Sequence, residues 1–208
     1  MDKAALFKLS YGLYVIGVKN ENKMGGCVVN TAMQITSQPP RVSITIAKEN
    51  ATHDLVQQAK HCTVSVLAQD CDMNIIAQFG FQSSRETDKY DGVDFKTDEQ
   101  GAPYLTRGTV AYFSCQVINQ VDVGTHTIFV CEVQEGEVLA QNEPMTYSYY
   151  RQVKKGTVPK AAPTYKEEES TKQGWKCSVC GYETDQETLP DDYVCPICKQ
   201  PKSVFKKI

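Results

Sequence analysis

Apolar and polar positions between residues 11 and 139 alternate in short runs more often than they follow a helical spacing. Tyr11–Val18 is rich in aromatic and β-branched residues and predicts a strand. The polar turn Asn20-Glu21-Asn22-Lys23 separates it from a second apolar run, Gly25–Asn30, which predicts a hairpin. The polar residues from Asn30 to Pro40 read as an ordinary loop. After Pro39-Pro40, the stretch Arg41-Val42-Ser43-Ile44-Thr45-Ile46-Ala47 alternates cleanly, as a half-buried strand does. Asn50 or Thr52 can cap a helix over Asp54–His61, Thr63–Leu67 predicts a strand, and Asp70 or Asp72 can cap a helix running to Phe79. Residues 80–100 are mixed and predict a short helix with loops. Two long strand-like runs, Thr109–Val121 and Thr125–Leu139, meet at a tight turn, Asp122-Val123-Gly124. About six largely antiparallel strands with two inserted helices predict a mainly β, barrel-like domain. The helices alternate with the strands too irregularly for a doubly wound sheet.

From Gln152 to Gln173 the pattern dissolves into Lys154-Lys155-Gly156, Pro159, Pro163 and Lys166-Glu167-Glu168-Glu169, the composition of a linker. A flexible chain of about twenty residues has a root-mean-square reach of ~25 Å, enough to let the C-terminal residues swing over the barrel or a neighbouring chain. The expected division is a barrel over residues 1–152, a linker over 153–173 and a small module over 174–208.

That module contains Cys177-Ser-Val-Cys180 and Cys195-Pro-Ile-Cys198. Two Cys-x-x-Cys pairs at this separation predict a closed four-thiolate metal site, and a soft sulfur set selects iron or zinc over hard cations. Trp175, Tyr182, Tyr193 and Phe205 frame the cysteines with aromatic rings that limit water and tune a metal's potential. These residues, with Leu189-Pro190-Asp191-Asp192 and Lys202, resemble a rubredoxin, which implies one iron on Cys177, Cys180, Cys195 and Cys198. Two departures stand out. The loop between the pairs is short, as in the reduced rubredoxin module of rubrerythrins, and Lys199 follows the second pair where the family usually has Gly.

Composition narrows the function further. The chain has 208 residues and a formal charge of −3 with a sequence pI of about 5.7, and no basic run suggests a nucleic-acid surface. No apolar stretch approaches the ~20 residues of a membrane span, and Met1–Phe7 lacks a signal-peptide core. Nine cysteines outside a secretory context point to a reducing, cytoplasmic compartment. Cys27, Cys62, Cys71, Cys115 and Cys131 lie in apolar runs and are expected as buried thiols. No Gly-x-Gly-x-x-Gly, Walker A or His-Glu-x-x-His pattern occurs.

Three polar segments in the first 152 residues remain: Asn30–Pro40, Ala47–His53 and Gly124-Thr125-His126. Turn and cap chemistry accounts for each singly. The second also offers a lysine and free N–H groups at a helix start, the makings of a phosphate cradle. In this order, with Phe79-Gly80 through Arg85 to Asp88-Lys89-Tyr90 and with Gly136-Glu137-Val138, they resemble the flavin reductase-like family of FMN-binding split barrels. The resemblance covers roughly residues 5–152. It implies that Asn30, Thr31, Thr36 and Ser37 touch the isoalloxazine. It implies further that Lys48, Asn50 and Thr52 hold the ribityl phosphate, and that the turn before His126 lies by the flavin and nicotinamide. Thr125 stands where the family has Asp. The expectation is an NAD(P)H-dependent flavoprotein, carrying FMN and iron, that forms a homodimer and passes electrons to a partner protein. By resemblance to the high-molecular-weight rubredoxins of anaerobes, that partner is a di-iron flavoprotein reducing O2 or NO. The alternatives are a reductase that releases reduced flavin and carries a regulatory zinc ribbon, and a non-enzymatic flavin- and zinc-binding module.

Overall fold

Alternation in residues 40–47 turns Val42, Ile44 and Ile46 inward, where they are buried, and leaves Ser43 and Thr45 half-buried on the other face. The structure is a computed structural model and describes residues 1–21, 23–154, 156–158, 164 and 174–208. In the larger part, β1 (Tyr14–Asn20), β2 (Lys23–Val29), β3 (Ala32–Ser37) and β4 (Pro40–Ala47) precede helix α1 (Ala51–Ala59). Then come β5 (His61–Leu67), α2 (Met73–Phe81), the short β6 (Phe95–Thr97) and β7 (Pro103–Leu105), the long β8 (Thr109–Asp122) and β9 (His126–Val138), and α3 (Tyr147–Gln152). The smaller part holds β10 (Trp175–Cys177), β11 (Glu183–Thr184) and β12 (Phe205–Lys207).

Seven strands form one antiparallel sheet in the order β2-β1-β5-β8-β9-β4-β3. Its two edges, β2 and β3, are consecutive in the chain and joined only by Asn30 and Thr31. Three Cα–Cα steps of 3.8 Å span at most ~11 Å, so the end of one edge must lie beside the start of the other. The sheet is therefore curled into a barrel that stays split between β2 and β3. Register shifts in the β8–β9 pairing at Ser114/Cys115 and Val117/Asn119 supply local bending. The expected mainly β barrel with inserted helices is the fold found.

One apolar cluster lies between the sheet and α1 and includes Ile16, Ile44, Val64 and Phe129; a second, under α2, includes Leu67, Ile76, Phe79 and Met145. Gly17 is required where β1 passes the β6–β7 hairpin: a Cβ there would stand 1.8 Å from the Pro103 carbonyl oxygen. The five barrel cysteines are buried free thiols, as their apolar settings predict.

Several local expectations change. Residues 32–37 form strand β3, not loop: Met33 and Ile35 alternate with Gln34 and Thr36, but both are exposed, so the short alternation marks no buried face. Helix α1 starts at Ala51, with Asn50 as its cap: Asn50 Oδ1 accepts from the Thr52 N–H at 3.0 Å. It ends before Lys60, which turns left-handed at φ 56°, so His61 opens β5 instead of closing the helix. Asp72 caps α2, which runs on to Phe81. Residues 82–100 carry β6 and turns but no helix, and α3 was not foreseen. The expected linker, 153–173, lies largely outside the described residues. Within it, Gly156 packs on Tyr150: a Cβ there would meet the ring at 2.1 Å.

Candidate functional site

In the small module the chain makes two matching turns. The Gly181 N–H donates to Cys177 O at 2.9 Å and the Lys199 N–H to Cys195 O at 3.0 Å. Both turn residues are left-handed, Gly181 at φ 77° and Lys199 at φ 59°. Each turn brings two thiols together, and all four Sγ atoms lie within 4.8 Å of one another. Cys177 and Cys198 Sγ are 3.6 Å apart, and Cys180 and Cys195 Sγ 3.5 Å. A tetrahedral ion with metal–sulfur bonds of ~2.3 Å needs edges of ~3.8 Å, so this cage fits one. The four cysteines are buried at 1 % exposure or less, under Phe205, Leu189 and the half-buried Trp175, Tyr182 and Tyr193. Tyr193 and Phe205 meet edge to face at 5.3 Å.

The barrel holds a cavity of about 450 Å³, within the usual range for a small-molecule site. Asn30 and Thr31 line it from the β2–β3 junction, Asn50 and Ala51 from the start of α1, and His126 from the start of β9. Four expected site residues are thus brought together: Asn30, Thr31, Asn50 and His126. The other four do not line it. Thr36 and Ser37 lie exposed at the far end of β3, where the Thr36 hydroxyl donates to Pro39 O at 2.6 Å. Thr52 is fully buried, because the second position of α1 faces the core. Lys48 Nζ pairs with Asp122 Oδ2 at 2.6 Å, and the Lys48 N–H donates to Thr125 O at 3.0 Å. Lys48 therefore braces the turn that presents His126, whose Nδ1 lies 2.8 Å from Thr125 Oγ1.

Arg85 occupies the position foreseen for a cation at the start of α1. It lines the cavity, donates to Glu49 O at 3.0 Å and pairs with Asp54 at 3.1 Å. Tyr147 and Tyr150 of α3 add an aromatic wall. Thr164 also lines the cavity, and its Oγ1 accepts from Asn30 Nδ2 at 3.1 Å. Arg85 stood inside a stretch already conspicuous in the sequence; the clustered tyrosines of residues 147–150 were the only signal for the wall.

A flavin reductase-like domain matches residues 6–157, and a rubrerythrin, rubredoxin-like domain matches residues 175–206. The chain belongs to the flavin reductase-like family. It is 42 % identical to the high molecular weight rubredoxin of Moorella thermoacetica, with both chains covered over their whole length. It is 41 % identical to the ferric-chelate reductase (NAD(P)H) of Archaeoglobus fulgidus, over 79 % of this chain and 98 % of the relative. Among solved structures, the NADH:FAD oxidoreductase SgcE6 of Streptomyces globisporus superposes with a TM-score of 0.62 at 25 % identity, covering 71 % of this chain and 89 % of the other. The chain is accordingly a flavin oxidoreductase joined to a rubredoxin: the barrel takes a flavin and the four-cysteine cage takes iron. Among the described residues no helix is long and apolar enough to cross a membrane.

Proposed function

We propose that this chain takes electrons from NAD(P)H into FMN in the barrel, hands them to the rubredoxin iron and delivers them to a partner protein in a reducing, cytoplasmic compartment. The observation that carries this reading is the placement of the two sites. Phe81 at the end of α2 lines the barrel cavity and also packs on the apolar cluster that contains the four cysteines. A bound flavin accepts a hydride and gives up electrons singly, and an iron tetrathiolate takes one at a time, so the pair converts a two-electron donor into a one-electron supply.

The chain's own residues bind and orient. The N–H groups at the start of α1 and the Arg85 guanidinium form one cradle for one terminal phosphate, which favours FMN over a dinucleotide flavin. Asn30 and Thr31 meet the flavin's polar edge at the split. Phe81, Tyr147 and Tyr150 exclude water from its apolar side. His126 stands at the mouth, where a nicotinamide enters, with its turn held by Lys48 and Asp122. A homodimer covers the exposed Met33 and Ile35 of edge strand β3. The full-length likeness to a high molecular weight rubredoxin supports a redox protein as acceptor, and a di-iron flavoprotein reducing O2 or NO meets that need for single electrons.

Stopped-flow absorbance tests the route. With NAD(P)H added, the flavin band bleaches first and the iron band follows, and flavin-free protein leaves its iron oxidised. Arg85→Ala lowers FMN affinity by about tenfold, the loss of one charge-assisted contact. Iron reduction at an undiminished rate without flavin, or FAD as the extracted flavin, would overturn the reading.

A further inference from the structure

A second, smaller cavity of about 160 Å³ lies between the barrel and the cysteine module. Ile76, Phe81, Tyr150 and Thr157 line both this cavity and the larger one. The wall between the flavin pocket and the module is therefore a single side chain thick at these positions. Tyr182 and Ile197 line the small cavity from the module, and they follow or sit within the two cysteine turns. The first turn also comes close to the wall: a Cβ on Gly181 would stand 3.7 Å from the Thr157 side chain.

The wall is held stiffly. Tyr150 is 3 % exposed and its hydroxyl donates to Thr157 O at 2.6 Å, while Gly156 lies flat on its ring. Burial pushes the Tyr150 phenol above its ordinary range.

We propose that Phe81 and Tyr150 are positioning residues for electron transfer, forming a one-residue partition on which the rubredoxin module docks with its two cysteine turns facing the flavin pocket. The proposal rests on the flavin-to-iron route above and names the face through which that route runs. In each event one electron leaves the reduced flavin and one ferric iron becomes ferrous; no bond between the centres forms or breaks. Two such events return the flavin to its oxidised form, with the partner protein reoxidising the iron between them and the flavin's proton passing to solvent. Tunnelling falls steeply with distance, so the partition sets the rate by holding the centres close, and the partner protein must meet the module on another face.

Ile197→Asp tests this from the module side, outside the flavin pocket. In the full chain, hydrogen exchange should show lost protection at the end of α2 and over residues 149–158, with or without flavin bound. Flavin bleaching by NAD(P)H should keep its wild-type rate and the ferric absorption its wild-type shape, while iron reduction slows by about tenfold or more. Phe81→Ala should slow the same step, and Phe81→Tyr should restore it. Unchanged exchange in Ile197→Asp would show that the module does not dock here, and undiminished iron reduction after the face has opened would show that docking does not set the rate. Either result overturns the proposal. If wild-type iron is not reduced through flavin at all, the electron route falls, whereas hydrogen exchange still reports whether the face exists.

Discussion

The barrel and the cysteine module stay folded by different means. The barrel buries Ile16, Ile44, Val64 and Phe129 completely, on residues drawn from four strands. The module, about thirty-five residues, has Leu189 and Phe205 as its buried apolar side chains besides the four cysteines. A chain that short cannot bury enough surface to offset its conformational entropy. Its metal is its core, and metal binding is its folding energy. The barrel, in contrast, should hold its shape whatever becomes of the iron.

Removing one thiolate breaks this comparison hardest. Cys195→Ser leaves three sulfur ligands and forfeits a large part of the ~10 kcal/mol or more that a structural tetrathiolate site contributes. The red absorption should vanish and amides over 174–208 should exchange freely. The barrel should keep its flavin and its own thermal transition. Protected amides across a metal-free module would show that side-chain packing alone suffices there.

How far each region could be read from sequence tracks the same division. The cysteine cage was legible because its ligands come in two local turns, so spacing alone carries the chemistry. The strands that face the core, such as β4, were legible because burial imposes alternation on them. Strand β3 was not: its Met33-Gln34-Ile35-Thr36 alternation is short, set among polar residues before Pro39-Pro40, and buries no face. The lining of the barrel cavity was legible in part: Asn30, Thr31, Asn50 and His126 line it, and they stood out through the family resemblance of their ordered motifs, since cap and turn chemistry alone accounts for Asn50 and for the turn before His126. Lys48 and Arg85 show the limit: both are cations near the start of α1, and only tertiary placement reveals that Lys48 turns to Asp122 while Arg85 reaches the cavity.

The barrel is not held by apolar burial alone, and a second change sharpens the contrast. Asp98 Oδ2 lies 2.6 Å from His61 Nε2 and accepts from the Ser114 hydroxyl at 2.8 Å, while its Oδ1 accepts from the Ala102 N–H at 2.8 Å. Burial pushes this carboxyl up, but the hydrogen bonds from His61, Ser114 and Ala102 outweigh it and hold the group below its ordinary value. A depressed folded-state value means that Asp98 stabilises the barrel fully above the unfolded value of about 3.9, and that this is lost as pH falls through its own lower value. Asp98→Asn should cost about 2 kcal/mol at pH 7 and flatten the acid limb of the stability profile. Urea midpoints of the barrel between pH 7 and pH 3 measure both. The module's iron band should not respond, and an equal midpoint for the two proteins at pH 7 would show that the network adds nothing.

The smallest expected effect lies inside the module, where its two turns can be compared with each other. Both put a residue in left-handed backbone, but one uses Gly181 and the other Lys199. A side chain there costs about 1 kcal/mol relative to glycine, because its Cβ crowds the carbonyl oxygen. The second turn therefore carries a strain that the first does not. Lys199 is exposed, so Lys199→Gly should forfeit little contact and raise the denaturant midpoint of the iron band by the equivalent of about 1 kcal/mol. Gly181→Lys should lower the midpoint by about 1 kcal/mol, since a Cβ there would stand at an ordinary 3.7 Å from the Thr157 side chain and adds only the backbone strain. A lower midpoint for Lys199→Gly would mean that this side chain stabilises the turn by more than its backbone strain costs.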